Sequence, residues 1–363
     1  MGAPELPSLV AYVRAGDIYV SRDGSGEKRL TSTGGHARPR WSPDGGSLAF
    51  VRGGQLWTMR ADGSGARRLS SRAAAGPSWS PDGKWLAFAS LSCTGGPGVY
   101  RIRAAGDETG TGGEAGTGNE TGTGSKTGAG DETGNGSKTG AGDRTATGDK
   151  AGTGDAPVNK GKTPDGDPAG DGVEPEVLFP RDCRGEELPL ATPPTARKAG
   201  ATLNERLATD DAVAWSPDGK RMAFRGGDCE STYDACLTIG TIADGAEQTV
   251  AAYGGGSLQN RGFAVVPSWR ADGAKLSWTA FQEGETAAES KPLHLVEYDT
   301  VSGAKRILGG ALDRELAYVD ATRAVITGQN GGRSWVTVLG LTDGSRTPFR
   351  SGSQPSVQPV PHR

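Results

Sequence analysis

The pentapeptide Trp-Ser-Pro-Asp-Gly occurs three times in this chain, beginning at Trp41, Trp79 and Trp215. A degenerate fourth copy begins at Trp269 and keeps the Trp, Asp and Gly. Proline presets φ for the second position of a tight turn, aspartate can bond its own backbone, and glycine accepts a positive φ. A run rich in apolar and aromatic residues follows each copy, so each copy predicts a β-hairpin. Repeated hairpins indicate a repeat architecture.

The repeat is longer than the pentapeptide. Residues 9–32 align with residues 47–71 almost position by position, and the complete unit over 36–71 reads as four short strands. A four-stranded unit of roughly 40 residues has the size of a propeller blade, and one such sheet cannot bury both of its faces alone. We expect the tryptophans of the four copies to fill the space between neighbouring blades.

Six units of this kind can be traced along the chain. They span about 7–32, 36–71, 75–180, 211–252, 264–308 and 313–349. The first unit lacks an inner strand, which residues 353–360 are expected to supply, so that the ring closes without an open sheet edge. We therefore predict an all-β protein, a six-bladed β-propeller of four-stranded antiparallel blades that forms a single domain over residues 7–360.

A low-complexity segment, residues 104–172, interrupts the third unit. It is rich in glycine, has no aromatic residue and contains a nearly perfect twelve-residue repeat. Such a segment cannot bury enough apolar surface to offset its chain entropy, so we expect it to be disordered. A calcium-binding repeat array would need an apolar residue at a fixed place in each repeat, and this repeat has none. Two interpretations of the segment remain. It is either a GC-rich insertion that has no role, or a flexible tether.

The repeats resemble a known family. Their pattern, x-P-x-W-S-P-D-G-x-x-L-A-F followed by a third strand and A-D-G-S-G-x-x-R-x-L, resembles the TolB-type propeller repeat, which also occurs in prolyl-oligopeptidase-like enzymes. The resemblance covers roughly residues 9–103 and 173–349. It implies a six-bladed propeller and favours protein binding at a bacterial envelope, in an actinobacterial-style secreted or surface protein. The chain has no room for the α/β domain of TolB or for the hydrolase domain of the peptidases.

The four cysteines are Cys93, Cys183, Cys229 and Cys236. In four-stranded blades all four would project toward one face, from two adjacent blades. The simplest of the three possible pairings is Cys93–Cys183 with Cys229–Cys236. A four-cysteine zinc site is an alternative, although no C-x-x-C spacing is present, and free thiols are another. Disulfides would imply an oxidising compartment, so we expect an extracytoplasmic protein, secreted or associated with the envelope.

Composition excludes several classes of function. The net charge is −3, whereas nucleic-acid binding usually needs a concentrated basic stripe. No apolar run approaches the roughly 20 residues of a membrane helix. The N-terminus lacks the features of a secretory signal and of a myristoylation site, which leaves a cytoplasmic location as the alternative if no leader precedes this chain. We expect a monomer that uses no cofactor.

Signals of catalysis are sparse. The chain has three histidines and no nucleophile elbow, zinc-protease motif, phosphate loop or dinucleotide fingerprint, and we expect no catalytic residues and no metal. His294 alternates with leucines in a strand and reads as a packed or surface histidine. Charged residues near the starts of inner strands could form a ring at the mouth of the channel and bind a peptide or an ion, or they could be solvated loop charges. These candidates are His36, Arg38, Asp210, Asp211, Arg261, Arg314 and Glu315.

Two functions of different classes follow. The first is a non-catalytic propeller that binds a protein or peptide partner with the face that carries its long loops, since a rigid ring holds variable loops in fixed positions. Those loops are 91–98, 181–211, 225–236 and 281–292. Tyr233, Leu190 and Phe281 are candidate apolar contacts, unless they pack on their own blades. The alternative is a carbohydrate- or peptide-acting enzyme that uses carboxylates or a metal at the channel mouth.

Overall fold

The computed structural model describes residues 5–23, 26–104, 174–186, 201–227, 229, 233–257 and 259–360. All of the segment 104–172 except Ala104 lies outside these ranges, and so does Leu190. Ala104 itself is buried, and its N–H donates to the Lys84 carbonyl. No helix in the described ranges is long and apolar enough to span a membrane.

The described backbone forms six four-stranded antiparallel sheets, which confirms the predicted six-bladed propeller. The strands of the first three blades are β1 (Val10–Arg14), β2 (Asp17–Ser21), β3 (Lys28–Arg29), β4 (His36–Trp41), β5 (Ser47–Arg52), β6 (Gln55–Arg60), β7 (Arg67–Ala73), β8 (Ala75–Trp79), β9 (Trp85–Leu91), β10 (Pro97–Arg103) and β11 (Glu176–Phe179). The strands of blades 4 to 6 are β12 (Ala214–Trp215), β13 (Arg221–Arg225), β14 (Ala235–Thr241), β15 (Glu247–Tyr253), β16 (Arg261–Trp269), β17 (Lys275–Glu283), β18 (Lys291–Asp299), β19 (Lys305–Leu308), β20 (Arg314–Tyr318), β21 (Arg323–Asn330), β22 (Arg333–Gly340) and β23 (Arg346–Ser351). The last strand is β24 (Ser353–Val357). A 3-10 turn (Arg181–Cys183) and the short helix α1 (Leu203–Ala208) precede blade 4.

The ring is closed by strands from the two ends of the chain. Blade 1 has the strand order β24-β1-β2-β3, so the last strand is the innermost strand of the first blade. The other five blades each consist of four consecutive strands. The inner strands β24, β4, β8, β12, β16 and β20 contact one another in that order around the axis. The face with the Trp-Ser-Pro-Asp-Gly turns is called the turn face below, and the opposite face is called the loop face.

The repeated pentapeptide joins the first and second strands of a blade by a network of local hydrogen bonds. In blade 2 the Ser42 hydroxyl donates to Asp44 Oδ1 at 2.5 Å and accepts from the Ser47 N–H at 2.9 Å. Gly45 has a φ of 70°, in a region that glycine enters without a steric penalty. The same serine–aspartate contact recurs in blades 3 and 4. The turn thus depends on the serine and aspartate as much as on the proline and glycine.

Blade 5 keeps this turn with different chemistry. Arg270 occupies the serine position, and its guanidinium donates to both carboxylate oxygens of Asp272 at 2.7–3.0 Å. Asp272 still accepts from the Ala274 N–H at 3.0 Å. The ion pair therefore replaces the hydroxyl contact, and the degenerate copy forms the same turn.

Tryptophans of the repeat connect neighbouring blades. Trp79 Nε1 donates to the Arg40 carbonyl of the preceding blade at 3.0 Å, and Trp269 Nε1 donates to the Ala214 carbonyl of its preceding blade at 3.0 Å. The apolar clusters also extend across blade boundaries, as where Leu56 of blade 2 packs with residues of blade 3. Each sheet buries its faces against its neighbours, which is why a single blade could not fold alone.

The inner strands carry β-bulges at equivalent positions. The register shifts between Ala37 and Arg40 in β4, at the matching places in β8, β16 and β20, and in the pairing of β24 with β1. Four non-glycine residues at these bulges have a positive φ of 55–58°, namely Arg38, Val266, Glu315 and Gln354. A bulge bends its strand and redirects a side chain. Since such φ values cost about 1 kcal/mol or more each for residues with a Cβ, the surrounding sheets must hold them in place.

Candidate functional site

The centre of the channel contains a buried ionic network from three blades. Arg38 of blade 2 lies 2.6 Å from Asp210, at the entry to blade 4, and 3.0 Å from Glu315 of blade 6. The exposed fractions of these side chains are 1% for Arg38, 20% for Asp210 and 4% for Glu315. A single guanidinium therefore links every second blade across the axis. We call these three residues the plug.

The plug lies where the inner strands bulge. The six residues at this level, one from each blade, are Gln354, Arg38, Gly76, Ala212, Val266 and Glu315. All six are buried. A Cβ on Gly76 would lie 2.2 Å from the Ala212 Cβ, so the strands of blades 3 and 4 approach as closely as a glycine permits. The channel is closed at this level.

Gln354 joins the C-terminal strand to the plug. Its side-chain oxygen accepts from the Arg38 N–H at 2.8 Å, and its own N–H lies 2.9 Å from both Glu315 Oε2 and Thr327 Oγ1. Thr327 in turn donates to Glu315 Oε2 at 2.5 Å. The network that closes the channel therefore also holds the strand that closes the ring.

The electrostatic balance keeps Arg38 and Glu315 ionised. Burial raises the pKa of Glu315, but the charges of Arg38 and Arg314 outweigh it, and the net shift is downward. Burial lowers the pKa of Arg38, but its two carboxylate partners outweigh it, and the net shift is upward. These carboxylates are thus committed to ion pairs.

Asp211 lies beside the plug but has a different ion-pair partner and a raised pKa. Its Oδ1 is 2.8 Å from Arg225 Nε, and Arg225 also donates to the Ala208 carbonyl at the end of α1 at 2.7 Å. Burial raises the pKa of Asp211 to about 6, against the opposing effect of Arg225. The helix is held on the loop face by Leu207, which is 4% exposed and packs against β16 residues such as Val266.

The remaining candidates from the sequence do not join the plug. His36 is buried, with Nδ1 3.1 Å from the Gly16 carbonyl and 3.5 Å from Asp17, and burial lowers its pKa. Arg314 is buried close to Glu315, but its guanidinium donates to the Ser334 hydroxyl and the Leu312 carbonyl. Arg261 is exposed and pairs with Glu283 at 2.6 Å.

Both predicted disulfides are present, Cys93–Cys183 and Cys229–Cys236, with Cα separations of 5.4 and 5.8 Å. The four cysteines therefore form neither a zinc site nor free thiols. Cys93–Cys183 ties the loop after β9 to the segment after β11, and Cys229–Cys236 ties the loop after β13 to the start of β14. The described residues include no group of three or more His, Cys, Asp or Glu side chains that could hold a metal ion.

Two cavities open on the loop face above blades 3 and 4. The larger has a volume of about 630 Å³, and Pro97, Phe224, Tyr233, Asp234 and the Cys229–Cys236 disulfide line it. The smaller, of about 380 Å³, lies above residues 73–75 and reaches Asp211. Gly96, Pro97 and Arg225 belong to both walls, so the two cavities adjoin.

The predicted apolar contacts differ in exposure. Tyr233 is 42% exposed at the larger cavity, and Leu91, which sequence reasoning did not single out, is 43% exposed at the smaller one. Phe281 instead stacks on Phe263 with ring centroids 5.4 Å apart. His294 is 8% exposed, with Nδ1 2.7 Å from the Pro292 carbonyl.

Sequence reasoning also missed Gln354 and Arg225. A signal for Gln354 exists, because the residue before the inner-strand proline is the bulge residue at Arg38, Gly76 and Val266 as well. No comparable signal marks Arg225, whose role depends on the loop that brings Asp211 to it.

Neither protein-family profiles nor curated proteins match the chain. Solved structures do match. TolB from Acinetobacter baumannii aligns with a TM-score of 0.58 and 14% identity over 98% of this chain and 68% of that one. A putative TolB from Agrobacterium tumefaciens aligns with a TM-score of 0.52 and 11% identity over 97% and 92% of the two chains. Hydrazine synthase from Kuenenia stuttgartiensis aligns with a TM-score of 0.52 and 10% identity over 98% of this chain and 47% of that one. Identities this low establish the fold alone, and in its fold this chain is a TolB-like six-bladed β-propeller.

Proposed function

We propose that this protein is a non-catalytic binding propeller of the bacterial cell envelope, which recognises a protein or peptide on its loop face. The observation that carries the proposal is the pair of adjoining cavities above blades 3 and 4. Leu91 and Tyr233 stand at these cavities with more than two fifths of their surfaces exposed. Exposed apolar residues beside a concave surface are typical of interaction sites.

The disulfides support both parts of this proposal. They fix the loops that frame the larger cavity, so little conformational entropy would be lost when a partner binds. They also favour an oxidising compartment. The TolB-like fold agrees with a role in the envelope.

The proposal is tested by capture of partners from an envelope fraction with the immobilised wild-type protein and two variants. Leu91→Ala with Tyr233→Ala should lose most of the partner that mass spectrometry identifies. Val301→Ala with Ile307→Ala should retain it, because these apolar residues are even more exposed (89% and 63%) but lie at the outer edge of blade 5. Equal recovery by both variants would exclude the loop-face cavities as the binding surface.

A second candidate function rests on Asp211. A buried carboxyl with a pKa of about 6 at the wall of a cavity suits general acid–base chemistry near neutral pH. This would make the protein a carbohydrate- or peptide-acting enzyme. Against it, Arg225 holds Asp211, and Arg38 holds both neighbouring carboxylates.

Hydrolysis assays separate the two functions. Wild type and Asp211→Asn would be compared on panels of chromogenic glycosides and fluorogenic peptides. The binding proposal expects equal, background rates. A wild-type rate that falls by a factor of about 100 or more in Asp211→Asn, in the range of general acid–base contributions, would establish the enzyme instead.

A further inference from the structure

The first inner-strand residue on the turn-face side of the bulge defines a second level of the channel. The pairing registers place one residue of each blade there, opposite the same position of the second strand. These residues are Ser356, Arg40, Ser78, Ala214, Ser268 and Ala317. Five of the six are serine or alanine, and Arg40 is the one large side chain among them.

This level is more exposed than the plug level. Arg40, Ser78, Ser268 and Ala317 are partly exposed, whereas all six residues at the plug level are buried. The buried plug level separates this second level from the loop face. We call the part of the channel on the turn-face side of the plug the pit.

Within the part of the chain that the structure describes, Arg40 has no acidic partner. Its Nη1 donates to the Pro39 carbonyl at 2.9 Å, and no carboxylate of the described residues lies within 4.0 Å of its guanidinium. The charges that act on it are those of the plug, namely Arg38, Glu315 and Asp210. Burial, with a smaller effect from Arg38, lowers the pKa of Arg40 to about 10, so it is still a cation at neutral pH.

Serine hydroxyls at the same level supply further donors. Ser78 Oγ accepts from the Trp215 N–H at 2.9 Å, and Ser356 Oγ accepts from the Trp41 N–H at 3.3 Å. Each hydroxyl that accepts a backbone N–H keeps its own proton to donate. Among the described residues, the hydroxyl protons of Ser78, Ser268 and Ser356 find no acceptor.

The local charge is positive. Arg38, Arg40 and Arg314 lie around two carboxylates, Asp210 and Glu315. The neighbouring acids are already paired, Asp211 with Arg225 and Asp313 with Arg346. Among the described residues, one cation is thus left without a paired carboxylate.

We propose that the turn-face pit of the channel is an oxyanion-binding site, in which Arg40 supplies the charge and the hydroxyls of Ser78, Ser268 and Ser356 supply additional hydrogen bonds. Its ligand is a small oxyanion, either a free phosphate or sulfate or a carboxylate group. This site is on the opposite side of the plug from the loop-face cavities, so it stands independently of the function proposed above.

The test is isothermal titration calorimetry of the full chain with inorganic phosphate, sulfate and acetate at constant ionic strength. We expect one saturable site per chain for at least one of these anions. Preference for phosphate or sulfate would identify a tetrahedral ligand, and preference for acetate would identify a carboxylate. Absence of saturable binding for all three would overturn the proposal.

The variant Arg40→Gln should weaken the binding at least about tenfold, since it removes a charged hydrogen-bond donor. Arg333→Gln, which removes an exposed arginine outside the channel, should bind as the wild type does. Equal affinities of these two variants would also overturn the proposal.

Ser268→Ala keeps the test decisive if Arg40→Gln does not fold. The Ser268 hydroxyl has no partner among the described residues, so its loss should leave the fold intact. It should lower the affinity for the anion several-fold. If Arg40 only balances the charge of the plug, Ser268→Ala will have no effect on anion affinity, and the proposal is wrong.

Discussion

Arg38 balances most of the charge buried at the axis. Its guanidinium is the ion-pair partner of both Asp210 and Glu315, and it is 1% exposed. Removing one partner from a buried ion pair leaves an uncompensated charge in a region from which water is excluded, which costs about 3–5 kcal/mol. The stability of the ring therefore depends strongly on this one side chain.

We expect Arg38→Met to lower the free energy of unfolding by about 3–5 kcal/mol, measured by urea denaturation. Arg333→Gln is the matched control and should change it by less than about 0.5 kcal/mol. Adding Asp210→Asn and Glu315→Gln to Arg38→Met should recover part of the loss, because the two carboxylates that lost their ion-pair partner are then neutral. A stability loss below about 1 kcal/mol for Arg38→Met alone would contradict this account of the plug.

Asp211 makes the stability of the protein depend on pH, and the direction of this dependence follows from its raised pKa. Its pKa is raised to about 6 in the folded state and is close to 3.9 when unfolded. Between these values the folded state holds the extra proton, so this group makes the protein less stable as pH rises from about 4 to about 6.

The variant Asp211→Asn should lack the contribution of Asp211 to the pH dependence of stability. Its unfolding free energy minus that of the wild type should increase from pH 4 to pH 7 by on the order of 2 kcal/mol. Chemical denaturation of both proteins at a series of pH values measures this difference and cancels the contribution of His36. A difference that stays constant or decreases with pH would show that Asp211 is not protonated in the folded state at pH 5.

At the scale of elements, the two disulfides restrain chain segments of very different length. Cys93 and Cys183 are separated by 90 positions and Cys229 and Cys236 by 7. In the chain-entropy model, a cross-link stabilises the fold more when it closes a longer loop of the unfolded chain. The long loop includes residues 105–173.

Replacing Cys93 and Cys183 by serine should cost about 4–5 kcal/mol, and replacing Cys229 and Cys236 should cost about 2 kcal/mol. A variant in which a short Gly-Ser turn replaces residues 105–173 provides the control. In that background, replacing Cys93 and Cys183 should cost about 1 kcal/mol less than in the full chain. The cost of replacing Cys229 and Cys236 should not change. Equal costs for both pairs would contradict the loop-length argument.

At the scale of the whole molecule, the ring depends on β24. This strand pairs with β1, and Gln354 within it binds Arg38 and Glu315. Without β24, the sheet of blade 1 would have an unpaired edge at the axis, and exposed edges promote aggregation.

Removal of residues 353–363 should therefore abolish the single cooperative thermal transition and yield oligomers in size-exclusion chromatography. A synthetic peptide of residues 351–360 should bind this truncated chain and restore the transition, as strand addition to an open sheet edge predicts. A truncated chain that stays monomeric with an unchanged melting temperature would show that closure is dispensable.

The fold was predictable because its signals are local. Each Trp-Ser-Pro-Asp-Gly copy specifies a turn and an interblade tryptophan, and repetition of such units implies a ring. The site was less predictable, because its geometry depends on which blades face each other. Arg38 and Glu315 were candidates from the sequence, but only the ring shows that they meet across the axis. Arg261 had the same kind of sequence position and pairs instead with Glu283.

Blade 1 contains both an early and the last strand of the chain, which sets an order on biosynthesis. Strands β1 to β3 are synthesised more than 300 residues before β24 and cannot pair with it until then. Until then, the growing polypeptide holds an incomplete sheet beside blades that are already full. A chaperone that covers unpaired sheet edges would therefore have to stay bound longest at the edge of β1.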